Sequence, residues 1–399
     1  MIDCWLYKEI GEVFRTYAGG TPSKLDKANY ENGTIPWIRS GEVCKKYITE
    51  SELFITEKGL RNSSAKYYPI NTVLVAMYGA TAAQSGILKF NATSNQAVCG
   101  ILPNEEFVPE FVYAYFTYIK EQLAGQAKGG AQPNISQEKI KKVLFPCIPL
   151  SEQQRIVGIL DAEFEKIDAL KANAEKNLQN AKDLLVKTMD ILLLPKENWQ
   201  DSCLCTLCNK IGSGATPSGG KKSYGKEGIS LIRSMNVYNN EFRYEDLAHI
   251  NDKQASLLAN VEVSSGDVLF NITGASVTRC CLVPDNVIPA RVNQHVSILR
   301  VKQDMIIPQF LVFTLISERH NNPLMKMAEN GATRQAITKK QLEEWHIQYP
   351  TIKEQQDIII KLNELSDRCN NLQDNYTQTI ALCNDLKQAL LRKAFSGEL

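Results

Sequence analysis

Histidine is scarce: the 399 residues hold four, at His249, His295, His320 and His346, dispersed along the chain. The His-Glu-x-x-His helix of metalloproteases is therefore missing, and so is the Gly-x-Ser-x-Gly elbow of α/β-hydrolases. The chain also lacks an Asp-Pro-Pro-Tyr-like motif of amino-methyltransferases and a clear nuclease carboxylate–lysine cluster. Charge of one sign is not in excess. The formal net charge is +1, so global electrostatics neither supports nor excludes nucleic-acid binding, and any such contact has to come from local patches or a partner subunit. Long hydrophobic runs are lacking too: Phe310–Ile316 and Ile191–Leu194 are far too short to cross a bilayer.

Two suggestive clusters fail on spacing. Gly214-Ala-Thr-Pro-Ser-Gly219-Gly220-Lys221-Lys222-Ser223 resembles a phosphate loop, but an extra Gly and an extra Lys break the required order, and a glycine-rich turn fits better. Cys203-x-Cys205-x-x-Cys208 has no second Cys or His pair at zinc-ligand spacing and no counterpart elsewhere in the chain. The cysteine total is odd, eleven, and Met1–Glu9 has no signal-peptide apolar core. Reduced thiols and a cytoplasmic location without membrane contact are expected.

Apolar residues make up 44% of the chain, an ordinary globular share, and the length suggests two or three domains. Ser151 to Leu194 organises them. Ser151 with Gln154 forms a capping-box pattern, Pro195 ends the segment, and only Gly158 interrupts its interior. Leu160, Phe164, Ile167, Ala174, Leu178, Ala181, Leu185 and Leu192 recur at spacings of three, four or seven. This predicts a helix of about 65 Å whose apolar stripe needs a partner.

The partner lies in a repeat. Gly-Gly-Thr-Pro-Ser at 19–23 returns as Gly-Ala-Thr-Pro-Ser at 214–218, and Ile-Pro-Trp-Ile-Arg-Ser at 35–40 as Ile-Ser-Leu-Ile-Arg-Ser at 229–234. Val-Leu-Val-Ala-Met-Tyr-Gly-Ala-Thr at 73–81 returns as Val-Leu-Phe-Asn-Ile-Thr-Gly-Ala-Ser at 268–276. Asn95-Gln96 returns as Asn293-Gln294, Val-Pro-Glu-Phe at 108–111 as Ile-Pro-Gln-Phe at 307–310, and Glu-Gln-Gln at 152–154 as Glu-Gln-Gln at 354–356. The offset drifts only from 194 to 202, which marks a tandem duplication of domain plus helix rather than a solenoid. The second helix is expected over Lys353–Phe395, capped by Thr351 and Glu354, with the stripe Leu362, Leu365, Cys369, Leu372, Tyr376, Thr379, Cys383, Leu386 and Leu390. Pseudo-two-fold symmetry predicts that the two helices pair antiparallel with a globular domain at each end. The divisions are then 1–148, 149–195, 196–350 and 351–399. The expected fold is α+β: two tandem α/β domains joined by two long antiparallel coiled-coil helices. Strands are expected at Ile35–Arg39 and Thr72–Met77, and a helix at Phe111–Leu123.

The polar loops carry the candidate chemistry. Arg reads guanine and Asn or Gln reads adenine through paired hydrogen bonds in the major groove. The first half offers Arg39, Ser40, Tyr78, Thr81, Gln84, Asn95, Gln96, Gln132 and Asn134. The second offers Arg233, Ser234, Asn236, Thr273, Ser276, Arg279, Asn293, Gln294, His295, Thr333, Arg334 and Gln335. Lys141 with Lys142, Lys221 with Lys222 and Lys339 with Lys340 could meet phosphates. Residues shared by both halves, such as Arg39/Arg233 and Asn95/Asn293, suit loop-holding or phosphate contacts. Readers of unlike half-sites should differ between halves, which favours Gln84 against Arg279, and Gln132-Pro133-Asn134 against Thr333-Arg334-Gln335.

Over essentially its whole length the chain resembles the specificity subunits of type I restriction–modification systems. The resemblance rests on the duplicated Gly-x-Thr-Pro-Ser, Ile-Arg-Ser, Gly-Ala-Thr/Ser and Glu-Gln helix starts, and on the C-terminal Leu-Leu-Arg-Lys-Ala-Phe-Ser-Gly-Glu-Leu. It implies two target-recognition domains on double-stranded DNA, each reading half of a bipartite site. It implies helices that set the spacing and dock two methylation subunits, with restriction subunits in the full complex. No cofactor is then expected in this chain; S-adenosylmethionine, ATP and Mg²⁺ would sit on the partners. The expected role is non-catalytic. The rival readings are a self-contained DNA methyltransferase or nuclease with unfamiliar motifs, and a protein scaffold without DNA contact.

Overall fold

The structure is a computed structural model that describes residues 5–125, 134–217, 224–225, 227–329 and 335–399. It divides into two compact units: residues 1–174 with 378–399, and residues 175–377.

In the first unit a five-stranded sheet has the order Thr16–Ala18, Val98–Ile101, Val73–Ala76, Ser85–Leu88, Tyr47–Ile48, antiparallel except for the last pair. A three-stranded sheet pairs Phe54–Ile55, Ile35–Ile38 and Thr93–Ser94, and Leu6–Glu9 pairs with Leu144–Cys147. The inner strands Val73–Ala76, Ser85–Leu88 and Val98–Ile101 are buried at every position. Burial on both faces removes the alternation of a half-exposed strand, most plainly in the apolar run Val-Leu-Val-Ala at 73–76. The expected helix at Phe111–Leu123 is two helices, Pro109–Tyr118 and Lys120–Gly125, broken at Ile119.

The second unit repeats this plan. Its four-stranded sheet orders Cys208–Ser213, Val296–Val301, Val268–Asn271, Cys280–Leu282. A three-stranded sheet holds Ala248–Ile250, Ile229–Ile232 and Ala290–Val292, the last pair parallel as in the first unit. Gln200–Cys203 pairs with His346–Tyr349. The duplication extends to the backbone: Gly79 and Gly274 lie at φ +73° and +77°, and Ala83 and Thr278 at +66° and +71°. At the Gly-x-Thr motif a Cβ on Gly19 would stand 2.3 Å from the Asn95 carbonyl oxygen, and one on Gly214 would stand 1.8 Å from that of Val292. Neither position admits a side chain.

The long helices run Leu150–Leu192 and Ile352–Ser396. The first starts one residue before Ser151, with the Pro149 carbonyl accepting from the Glu152 and Gln153 N–H groups, so Ser151 is inside the helix rather than its cap. Thr351 does cap the second, its hydroxyl accepting from Glu354 N–H at 3.4 Å. Within the first unit the pairing is antiparallel: Arg155 donates to the Leu399 carbonyl at 2.7 Å, Asp168 meets Lys387, and Lys171 donates to Asn384 at 3.0 Å. Within the second, Lys196 pairs with Glu354 at 2.6 Å while Leu185 and Met189 share a groove with Asn363 and Asn370. The buried seam is narrower than the expected stripe. Leu160, Ile167, Ala174 and Ala181 are buried at strict heptad spacing, as are Leu362, Cys369 and Cys383, but Leu372 is 39% and Leu386 48% exposed.

The first unit's core is aromatic. Phe14, Phe107, Phe111, Tyr115 and Phe145 pack at centroid distances of 5.0–5.8 Å. Phe395 from the C-terminal helix joins them, 5.4 Å from Phe111 and stacked on Tyr118 at 5.3 Å. In the second unit a fully buried Asp267 takes two bonds of 2.8 Å from Arg300 and one of 2.7 Å from the Ser264 N–H. This bond set offsets the desolvation of the carboxylate.

Among the described residues, no helix is long and apolar enough to cross a membrane. The expectation of reduced thiols fails at one place. Cys203 and Cys205 form a disulfide, with their Cα atoms 5.3 Å apart.

Candidate nucleic-acid interface

The two halves hold their candidate loops with the same bonds. In the first unit the Thr21 hydroxyl donates to Gln96 Oε1, and in the second the Thr216 hydroxyl donates to Gln294 Oε1. The Asn95 side chain accepts the Ala97 N–H at 3.1 Å, as Asn293 accepts that of His295 at 3.0 Å. Their own N–H groups donate to Ile38 and Ile232 at 3.0 and 3.1 Å. The Gly-x-Thr and Asn-Gln motifs are thus two sides of one loop junction.

Arg39 and Arg233 also stand in equivalent places, each preceding a short 3₁₀ turn. Arg39 pairs with Glu52, and with Glu42 at 3.6 Å, while Arg233 donates to the Asp246 carbonyl and lies over the Tyr224 ring at 5.5 Å. Asn236 is fully buried and donates to the carbonyls of Arg243 and Glu245 at 2.9 and 3.2 Å, so its amide is committed to the fold. Ser40 opens the 3₁₀ turn after Arg39, and the Ser234 carbonyl accepts from Asn271 at 2.9 Å.

In the first unit a cleft of about 600 Å³ gathers Arg39, Asn95 and Gln96 with Thr21, Lys24, Lys27, Tyr30 and Trp37. None of the last five stands out in the sequence as a DNA-contact candidate, although Thr21 and Trp37 lie in the repeated motifs. Among the described residues neither Lys24 nor Lys27 has a carboxylate partner. Trp37 fixes the cleft floor by donating to the Gly20 carbonyl at 2.9 Å, and burial pushes the Tyr30 phenol up. Tyr78, Thr81 and Asn134 lie on a separate loop pair, where Tyr78 and Asn134 form an antiparallel bridge and Thr81 donates to the Tyr78 carbonyl at 3.3 Å. Gln84, in the same loop, has its Oε1 enclosed without a hydrogen-bond partner among the described residues.

In the second unit a cleft of about 680 Å³ brings together Ser234, Thr273, Ser276, Arg279 and His295, with Met235 and Tyr238. Thr273 bonds His295 Nδ1, and Gln294 Nε2 lies 3.1 Å from His295 Nε2. Gln335 borders this cleft, its carbonyl accepting the Gly274 N–H at 2.9 Å. The lysines are less available. Lys141 pairs with Glu138 at 2.8 Å, Lys339 with Glu343 at 3.4 Å and Lys340 with Glu344 at 3.7 Å, whereas Lys142 is exposed. Gln132, Pro133, Lys221, Lys222, Thr333 and Arg334 lie outside the described residues. Among the described residues no group of three or more His, Cys, Asp or Glu could hold a metal ion.

The family described as type I restriction modification DNA specificity domain matches the chain twice, over residues 3–180 and 196–382. The chain is similar to the EcoKI specificity subunit of Escherichia coli strain K12, at 23% identity over 99% of this chain and 89% of that one. It is 31% identical to the EcoR124I/EcoR124II specificity subunit of E. coli over 45% of each chain. Among solved structures it resembles a chain from work on complex assembly and conformational transition of the type I R–M system, with a TM-score of 0.80 at 19% identity over 99% and 98% of the two chains. It also resembles the HsdS subunit from Thermoanaerobacter tengcongensis, with a TM-score of 0.56 at 19% identity over 100% and 98%. The fold and the doubled match lead to one conclusion: the chain belongs to the type I restriction–modification DNA specificity family and carries two copies of its domain.

Proposed function

We propose that this chain is a non-catalytic specificity subunit in which each unit presents its loop cleft to double-stranded DNA. Each unit reads one half of a bipartite site. The observation that carries the reading is the doubled loop junction, which holds Asn95 and Gln96 beside Arg39 in the first unit and, in the second, Asn293 and Gln294 next to His295, which lines a cleft with Thr273 and Arg279. Bidentate and hydroxyl donors of this kind match base edges, and the unpaired Lys24 and Lys27 match phosphates. The two clefts lie at different places on the repeated frame: the second is built on Thr273–Ser276 and Arg279, whose counterparts Tyr78–Thr81 and Gln84 lie outside the first cleft.

The chain takes no cofactor in this reading. Two methylation subunits bring S-adenosylmethionine, restriction subunits bring the ATP- and Mg²⁺-dependent steps, and the methylation subunits dock on the long helices. Residues 1–148 and 196–350 act as target-recognition domains, and 149–195 with 351–399 as the spacer. Competition binding of the full chain, co-purified with its methylation subunits, tests this on a randomised duplex library at several salt concentrations. Enrichment of one bipartite sequence, with affinity falling steeply in salt, is expected. Equal binding of all sequences, or methyl transfer to DNA by the isolated chain, contradicts it.

A further inference from the structure

The second unit holds an arginine–tyrosine–arginine stack that its first-unit counterpart lacks. Tyr238 ends the short strand Val237–Tyr238, which pairs with Glu241–Phe242 through the Asn239-Asn240 turn. The Arg243 guanidinium lies 3.6 Å from the Tyr238 ring centroid and that of Arg279 lies 4.3 Å from it. Arg243 is neutralised by Glu241, at 3.1 and 3.4 Å. Arg279 is different: among the described residues no carboxylate or carbonyl takes its guanidinium, and it lines the cleft beside Thr273, Ser276 and His295.

Its backbone is held on every side. The Arg279 N–H donates to Ser276 and its carbonyl accepts from Asn271 at 2.8 Å. The next residue, Cys280, accepts the Asn240 N–H at 2.9 Å, which ties the Tyr238 hairpin to the Arg279 strand. The result is a planar donor fork, fixed at its root, steadied on an aromatic face and left with its hydrogen-bonding edge unspent. The offset that aligns Arg39 with Arg233 puts Cys44 at the place of Tyr238, while Gln84 stands opposite Arg279 with its carbonyl oxygen turned into the protein. Both members of the pair change together between the halves.

We infer that Arg279 reads a guanine in the half-site of the second unit, and that Tyr238 is the positioning residue that holds its guanidinium in the plane the base requires. This deepens the proposed function and rests on it. Guanine offers O6 and N7 as two acceptors on one edge, which a fixed guanidinium meets with two parallel bonds.

The test is selection from a randomised bipartite duplex library by the full chain co-purified with its methylation subunits, as wild type, Arg279→Gln, Tyr238→Phe and Tyr238→Leu. Arg279→Gln should lose the preference for guanine at one position of one half-site, with binding of the wild-type site weakened about 5- to 150-fold. Every other position and the thermal transition should stay unchanged. Tyr238→Phe should keep the preference, because the ring face remains, and Tyr238→Leu should weaken it at that same position only. The inference is overturned if Arg279→Gln keeps the wild-type sequence preference and weakens all duplexes alike, with the salt slope lower by about one, which marks a phosphate contact. It is overturned equally if Arg279→Gln binds as wild type does. A wild-type complex that selects no site overturns the DNA-reading function itself, and the role of Arg279 with it.

Discussion

Gln153 and Gln355 are the same device built twice. Each is the first glutamine of a Glu-Gln-Gln run at the start of a long helix, and each is fully buried. The Gln153 oxygen accepts the Val108 N–H at 2.9 Å, and its amide donates to the Glu106 and Ile148 carbonyls at 3.0 and 2.8 Å. Gln355 accepts from Ile307 at 2.8 Å and donates to Met305 and Pro350 at 3.0 and 2.9 Å. Val108 and Ile307 each precede a proline that opens a buried helix, so one side chain locks the start of the long helix to the start of a core helix.

Removing either clamp strands one backbone donor and two acceptors in the interior. Gln153→Ala and Gln355→Ala should each cost about 3 kcal/mol of stability. Hydrogen exchange should place the loss in the first unit for Gln153 and in the second for Gln355. Denaturation midpoints matching wild type would show that the clamp carries no stability.

Phe395 explains the C-terminal Ala-Phe-Ser-Gly-Glu-Leu run as a core element of the first unit, not a tail. With Leu391 and Ala394 it is buried against Phe111, Tyr115 and Tyr118. Phe395→Ala should destabilise that unit by about 3–5 kcal/mol. Exchange protection should fall across Phe107–Leu160, and protection of Val268–Val301 should not change.

Acid should act through His320. It lies in the second unit, where Trp345 Nε1 donates to its Nδ1 at 3.1 Å, a bond that requires the ring to be neutral. Burial, with help from the neighbouring Arg319, pushes His320 down to about 4. The folded-state value lies below the unfolded one, so the unfolded chain binds the extra proton between them. The stability from the neutral ring is full above about pH 6.5 and is lost as pH falls toward 4, about 3 kcal/mol in all. His320→Gln, which retains an acceptor for the indole, should flatten this part of the stability–pH curve. An unchanged slope in the variant would assign the acid sensitivity to other groups.

The features legible in the sequence were those that periodicity and repetition write directly. The two long helices, their antiparallel pairing and the doubled loop motifs follow from heptad spacing and duplicated punctuation. The width of the seam did not follow, because Leu372 and Leu386 have the spacing of core residues and remain exposed. The Glu-Gln-Gln runs repeat visibly, but the buried role of Gln153 and Gln355 was hidden for the opposite reason. A glutamine in the first turn of a helix reads as solvent-facing, and only the folded chain reveals the unpaired backbone groups that draw it inward. In the clefts, Arg279 was legible as a position where the halves differ. Tyr238, its support, sits 41 residues away on another hairpin and carried no motif of its own.

The central claim is that two units read two half-sites independently. Exchange of residues 1–148 for the corresponding segment of a family member with a different target tests it most directly, with the bound site of the assembled complex determined by selection from a randomised library. The account predicts that one half-site changes to that of the donor, while the other half-site and the spacer length stay as they were. A change in both halves, or in neither, would contradict it.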